Sequence, residues 1–318
     1  MLKILFWFNA QVSFITEICR ESKHAKNMDR KDFIKKGLLG TGMFVASAAV
    51  ANIMQNDIDE IKPLQPVGFN HLPSLDTPVT GNTVLHKAES RGHSNHGWLD
   101  THQTFSFASY YNPERMHFGI LRVLNDDVVD PSKGFGTHPH DNMEIISIPL
   151  EGDLEHKDSM NNVAIIKKDD IQVMSAGTGI YHSEFNNNKD KPVKFLQIWL
   201  YPNRKDVTPR YDQITLKPKD RHNKFQQILS PYAKDQGVWI YQDAWFHMGI
   251  FDNKFISTYQ IKKKGNGVYA FIIKGSFLVN GTLLNEKDGM GIWDLASLEV
   301  ISHSNASEIL LMEVPMTM

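Results

Sequence analysis

From about residue 84 onward the chain alternates short apolar runs with Gly, Asn, Asp and Pro. Few segments sustain a helical hydrophobic period. The pattern predicts strands over 118–124, 144–150, 163–167, 171–174 and 193–201. A second set is predicted over 254–261, 268–273, 276–279 and 308–313. Asn280-Gly281 between two apolar runs is a strong hairpin signal, because both residues tolerate positive φ. Lys274-Gly275 and Asp288-Gly289 add further turns. Closely spaced strands with such punctuation predict an all-β sandwich or barrel. The two halves look architecturally alike, although no close internal repeat is visible.

Two polar stretches interrupt this pattern. Residues 52–83 carry Pro63, Pro66, Pro73 and Pro78 and read as a linker or surface arm. Residues 203–242 are rich in Lys, Asp, Gln and Pro and read as the connection between an N-terminal lobe, 84–202, and a C-terminal lobe, 243–318.

The first 51 residues read as a signal-like segment, with Met28 as the expected true start. Arg30, Lys31, Lys35 and Lys36 precede a mildly apolar run over 38–51 that ends in Ala49-Val50-Ala51, a small-residue cleavage pattern. Arg30-Lys31-Asp32-Phe33-Ile34-Lys35 resembles a twin-arginine export signal with Lys31 in place of the second arginine. That resemblance implies export to the periplasm after folding; without a working signal the expected location is the cytoplasm. No apolar run reaches the roughly 20 residues of a membrane-spanning helix. Stable membrane insertion after processing is therefore not expected.

Composition narrows the chemistry. The chain has 318 residues, and its formal charge of -2 gives no electrostatic case for nucleic-acid binding. Cys19 is the only cysteine, so an intrachain disulfide and a thiolate-rich metal site are excluded. Any metal must be held by imidazole and oxygen donors.

One constellation supplies them. In Gly134-Phe135-Gly136-Thr137-His138-Pro139-His140 the two histidines are two apart, so on a strand they project to one face. Pro139 lacks a ladder donor and marks an edge or strand start. In Ile180-Tyr181-His182-Ser183-Glu184 the histidine and the glutamate are again two apart. Two such strands facing each other would present three imidazoles and one carboxylate to a common point. A lone buried histidine is usually a hydrogen-bonded core residue, but paired doublets are a stronger signal.

His138-Pro139-His140 with Glu144 and Gly152, followed by the run Ser175–Phe185, resembles the pirin family of the cupin superfamily. Thr104–Tyr111, Leu121–Asp126 and Phe195–Trp199 support the resemblance, which spans about residues 84–318. It implies two cupin barrels of the double-stranded β-helix, or jelly-roll, type. One divalent transition metal is expected in the N-terminal barrel, iron(II) first, with manganese, nickel, cobalt, copper or zinc as alternatives. The family's ligands fall on His138, His140, His182 and Glu184. Many other cupins use a glutamate just after the His-x-His pair, here Glu144. On a straight strand Glu144 lies about 13 Å from His140, so it reaches the site only if the chain bends. The second barrel is expected to be metal-free, since His247 and His303 form no pair.

The resemblance further implies a quercetin 2,3-dioxygenase-type reaction on a flavonol or related phenolic with O2. Glu184 is the expected ligand and general base, and Glu144 the rival base. Phe135, Met143, Met174 and Gln197 are candidate pocket walls. The alternative is a metal-dependent or redox-sensing interaction protein, whose protein partner the sequence does not name.

Overall fold

The computed structural model describes residues 81–317. The signal-like segment and nearly all of the 52–83 arm lie outside the described residues. Helical structure among the described residues is limited to two short 3-10 turns, Ala88–Ser90 and Pro218–Asp220. The rest is strand and turn.

The N-terminal half carries β1 (Asn82–His86), β2 (Gly92–Asn95), β3 (Leu99–Gln103), β4 (Leu121–Val129), β5 (Gly134–His140) and β6 (Glu144–Glu151). It continues with β7 (Asp153–Asp158), β8 (Val163–Lys167), β9 (Asp170–Ser175), β10 (Ile180–Asn186), β11 (Val193–Leu200) and β12 (Arg210–Thr215). The C-terminal half carries β13 (Gln226–Ser230), β14 (Val238–Trp239), β15 (Trp245–Phe251), β16 (Ile256–Gln260) and β17 (Asn266–Lys274). It ends with β18 (Ser276–Val279), β19 (Thr282–Asn285), β20 (Gly289–Trp293), β21 (Ser297–Ser302) and β22 (Ser307–Pro315).

Each lobe pairs a seven-stranded sheet with a four-stranded sheet. In the N-terminal lobe the orders are β12-β9-β6-β11-β4-β3-β2 and β5-β10-β7-β8. In the C-terminal lobe they are β1-β20-β17-β22-β15-β13-β14 and β16-β21-β18-β19. The first strand of the chain therefore completes the second lobe, with Asn82 opposite Trp293 and His86 opposite Gly289. The segment 203–242, whose polar composition marks a connection, also supplies the edge strand β12 to the first lobe and, to the second, the interior strand β13 and the edge strand β14. Edge strands face water on one side, which hides them in a polar sequence.

Alternation along the strands explains the long apolar runs. On β6, Ile146 and Ile148 join a core shared with Phe246 and Met248 of β15 and Leu310 and Met312 of β22. That core packs the two seven-stranded sheets face to face. On β17, Tyr269, Phe271 and Ile273 face it, while Val268, Ala270 and Ile272 face the interior of the second lobe. Both faces are buried, so these strands read as nearly continuous hydrophobic sequence. The Asn280-Gly281 hairpin forms as expected, with φ of 44° and 77° and Val279 paired to Thr282.

Within the first lobe, two apolar clusters bracket a polar middle. Leu99, Val129, Leu154, Ile166, Val193 and Phe195 form one. Met143, Ile145, Met174, Ala176 and Ile180 form the other.

Candidate metal centre

Strands β5 and β10 bring the two histidine doublets together. His138 pairs directly with His182, and His140 with Ile180. β5 is the edge of its sheet, where Pro139 costs no ladder hydrogen bond. The register then shifts: Glu184 pairs with Phe135, so Gly136-Thr137 carries one extra residue, a β-bulge. The bulge re-aims this end of the edge strand, and Gly136 accepts a hydrogen bond from His138 Nδ1 at 2.8 Å. The carbonyl can only accept, so Nδ1 holds the hydrogen and Nε2 keeps its lone pair.

The three rings converge. Centroids are 4.4 Å apart for His138–His182, 4.8 Å for His138–His140 and 4.9 Å for His140–His182. One donor atom from each lies within 4.8 Å of the others. His140 Nε2 and both nitrogens of His182 are buried and have no hydrogen-bond partner. Such orphaned atoms are costly, and a shared cation would satisfy His140 Nε2 and one of the two His182 nitrogens. Burial first, and His138 second, lowers the His140 imidazole to about 3. Burial, then the neighbouring histidines 138, 140 and 156, holds His182 well below the ordinary imidazole range. These two rings stay neutral, the form that ligates metal. The donor set fits a divalent transition metal.

Glu184 points inward beside His182 and is fully buried. Its carboxylate reaches across to the seven-stranded sheet: Ser147 Oγ donates to Oε1 at 2.9 Å and Gln197 Nε2 to Oε2 at 3.0 Å. The ligand-bearing side chains fall into two overlapping groups, His138–His140–His182 and His156–His182–Glu184, with His182 common to both. His156 is buried on β7, with Nε2 3.1 Å from Asp158 Oδ2 and its ring 5.3 Å from that of His182. Among the described residues, no such group involves the C-terminal lobe. There His247 packs on Tyr259 at 4.8 Å.

Glu144 is not part of this cluster. It shares a face of β6 with Ile146 and Ile148, whereas Ser147, which touches Glu184, is on the other face. The Glu144 carboxylate accepts from Ser175 Oγ at 2.7 Å instead. Burial pushes it up to about 7, opposed by Ser175, Arg210 and the Tyr241 backbone. Strand alternation turns Glu144 toward the core between the lobes and away from the three histidines.

The expected walls divide. Met143 and Met174 are in the apolar cluster around Ile145, and Phe135 packs edge-on against Trp98 at 5.4 Å. Gln197 is a specific hydrogen-bond donor to Glu184 rather than plain wall. Sequence reasoning missed Ser147, His156, Asp158, Trp199 and Asp127. Trp199 packs edge-on to His140 at 4.8 Å. Asp127 is buried, which raises its carboxyl to about 7 with help from Asp126 and Glu184 and against the neighbouring Thr101 hydroxyl. The available signal was polar residues at alternate positions within strands: Asn125 and Asp127, or His156 and Asp158.

A two-lobed β-barrel with a histidine cluster inside one lobe is a cupin-type architecture. Comparison with known proteins agrees. The family described as "Pirin" matches residues 84–200, and "Quercetinase C-terminal cupin domain" matches 227–314. The "Quercetin 2,3-dioxygenase" of Escherichia coli K12 is 42% identical over 231 residues, covering 73% of this chain and 98% of that protein. A "Pirin-like protein" of Caulobacter vibrioides is 36% identical over 221 residues, covering 69% and 94%. The crystal structure of the bacterial pirin YhhW from Escherichia coli, in complex with nickel(II), aligns with a TM-score of 0.70 at 40% identity, covering 74% of this chain and 99% of that one. The chain belongs to the pirin family.

Proposed function

We propose that the chain is a metal-dependent dioxygenase that cleaves a flavonol or a related phenolic with O2. The observation that carries this reading is the convergence of three imidazoles, with orphaned ring nitrogens on His140 and His182, beside the buried Glu184. The relative named for quercetin 2,3-dioxygenase activity supports it. His138, His140, His182 and Glu184 are the proposed ligands of one divalent ion, iron(II) or nickel(II), the latter being the ion in the YhhW complex.

When bound, such an ion supplies positive charge that stabilises an enolate and a template for two reactants. The protein supplies the rest. Glu184 accepts the proton of the substrate hydroxyl at its carboxylate. Ser147 and Gln197 hold that carboxylate in one orientation, so it need not reorganise during the transfer. His156 packs behind His182 and limits the rotation of its ring. Trp199, Met174, Ile145 and Ile180 offer an apolar wall against which aromatic rings pack and from which water is excluded.

The test is oxygen uptake by protein loaded separately with iron(II) and nickel(II). The expected result is consumption of about one O2 per quercetin, with none for the same ring system lacking the reacting hydroxyl. Absence of uptake with every loaded metal across a panel of flavonols and simpler phenols would contradict the proposal.

A further inference from the structure

A second set of metal-ligating side chains stands apart from the barrel interior. Strands β2 and β3 form a hairpin at the edge of the N-terminal seven-stranded sheet. His93 is directly opposite His102, and Asp100 is two residues before His102 on the same face. Thr101 and Gln103 alternate with them and point into the barrel. The three side chains therefore occupy the opposite face from the cavity that holds Glu184.

Their geometry is compact. The imidazoles of His93 and His102 stack at 4.4 Å with an interplanar angle of 15°. Asp100 Oδ1 is hydrogen-bonded to His93 Nε2 at 2.7 Å and lies 4.0 Å from His102 Nδ1, beyond hydrogen-bond reach. One donor atom from each residue lies within 4.8 Å of the other two. Asp126, opposite His102 on β4, is engaged by Arg91 at 3.6 Å and Lys287 at 3.2 Å. It is thereby kept as a neighbour rather than a ligand.

We propose that His93, Asp100 and His102 form a second metal site, open to solvent, for a borderline divalent ion such as zinc(II), copper(II) or nickel(II). Two imidazoles and one carboxylate match that class, whereas magnesium and calcium need more oxygen donors. The ladder holds the two backbones in place, with cross-strand Cβ atoms about 5 Å apart, and the two rings rotate out of their parallel stack for both lone pairs to meet one ion. Burial, followed by Arg91 and His93, lowers the His102 imidazole, which favours its neutral ligating form. The hydrogen that His93 Nε2 shares with Asp100 moves to Nδ1 when that nitrogen ligates, or leaves to solvent from the protonated ring. Three ligands leave positions for water, so this site is weaker than the barrel site and exchanges faster. An ion here would cross-link the edge strand to its neighbour.

The experiment uses the full chain stripped by chelator and titrated with zinc(II), read by calorimetry and by metal content after equilibrium dialysis. His102→Phe keeps a stacked ring and removes a donor. Asp100→Asn keeps the shape and removes the charge. The expected result is one zinc equivalent fewer for His102→Phe and at least about tenfold weaker binding of that equivalent for Asp100→Asn. His182→Ala, which disrupts the barrel donors, should retain the surface equivalent. It should show a nitrogen-coupled copper(II) EPR signal that vanishes in His182→Ala/His102→Phe. The proposal is overturned if His102→Phe, folded by circular dichroism, binds as many equivalents as the unaltered chain. Survival of the copper signal in the double variant would overturn it equally.

Discussion

His138 lies directly across the β5–β10 ladder from His182, with ring centroids 4.4 Å apart. This pairing depends on the extra residue at Gly136-Thr137, because beyond it the register shifts to Glu184 opposite Phe135. Side chains on a strand alternate faces, so losing that residue turns part of β5 over. Deleting Thr137 should therefore abolish tight metal binding while leaving the β-rich circular dichroism spectrum intact. Metal content after dialysis checks it. Retention of the tightly bound ion would show that the bulge does not set the histidines.

The hydrogen bonds from Ser147 and Gln197 to Glu184 carry the next expectation. Outer partners that orient a ligand typically change metal affinity by about 10–100-fold when lost. Gln197→Leu removes the donor to Oε2, and Ser147→Ala the donor to Oε1. Each should weaken binding within that range in a chelator competition, and the double variant should exceed either single one. Unchanged affinity in both would mean that Glu184 does not ligate in the orientation seen here.

Glu144 gives a pH dependence with a definite sign. Burial raises its carboxyl from 4.5 to about 7 in the folded protein. The folded state thus holds the proton more tightly than the unfolded chain. Its stabilising contribution is fully present below about pH 4.5 and is lost as pH rises through 7, by on the order of 3 kcal/mol at most. Glu144→Gln should flatten the dependence of melting temperature on pH between 5 and 8. Because Glu144 faces away from the histidines, oxygen uptake should be nearly unchanged. A variant with wild-type metal content but abolished uptake would restore Glu144 as the base.

Much of this arrangement was legible in the chain. The His138/His140 and His182/Glu184 doublets announce a shared face because strand periodicity is fixed at two. Asn280-Gly281 announces its hairpin because few residues accept positive φ twice in succession. Other features were not legible because they depend on partners remote in sequence. β1 pairs with β20 across the whole described chain, and no local pattern encodes that choice. Strands such as β2, Gly-His-Ser-Asn, lack apolar alternation because one side of an edge strand is solvated. The choice between Glu184 and Glu144 required knowing which face of β6 looks into the barrel. Ile145 and Ile146 are both buried, so apolar patterning cannot distinguish the two faces.

The signal-like segment yields a prediction independent of the barrel. The basic stretch Arg30–Lys36 and the small-residue pattern ending at Ala51 are proposed to direct export and cleavage. Protein recovered from the cell envelope should begin at Asn52. Recovery of the chain solely from the cytoplasm, with its N-terminus uncleaved, would contradict export.

The proposed oxygenase chemistry depends on the ion held by the barrel histidines. The most direct measurement determines tightly bound metal and quercetin-dependent oxygen uptake on the same preparations of unaltered protein and His182→Ala. His182 contributes to both donor groups, so the prediction is that the two quantities fall together to background, while circular dichroism stays unchanged. Oxygen uptake that survives in folded, metal-free His182→Ala would contradict the claim.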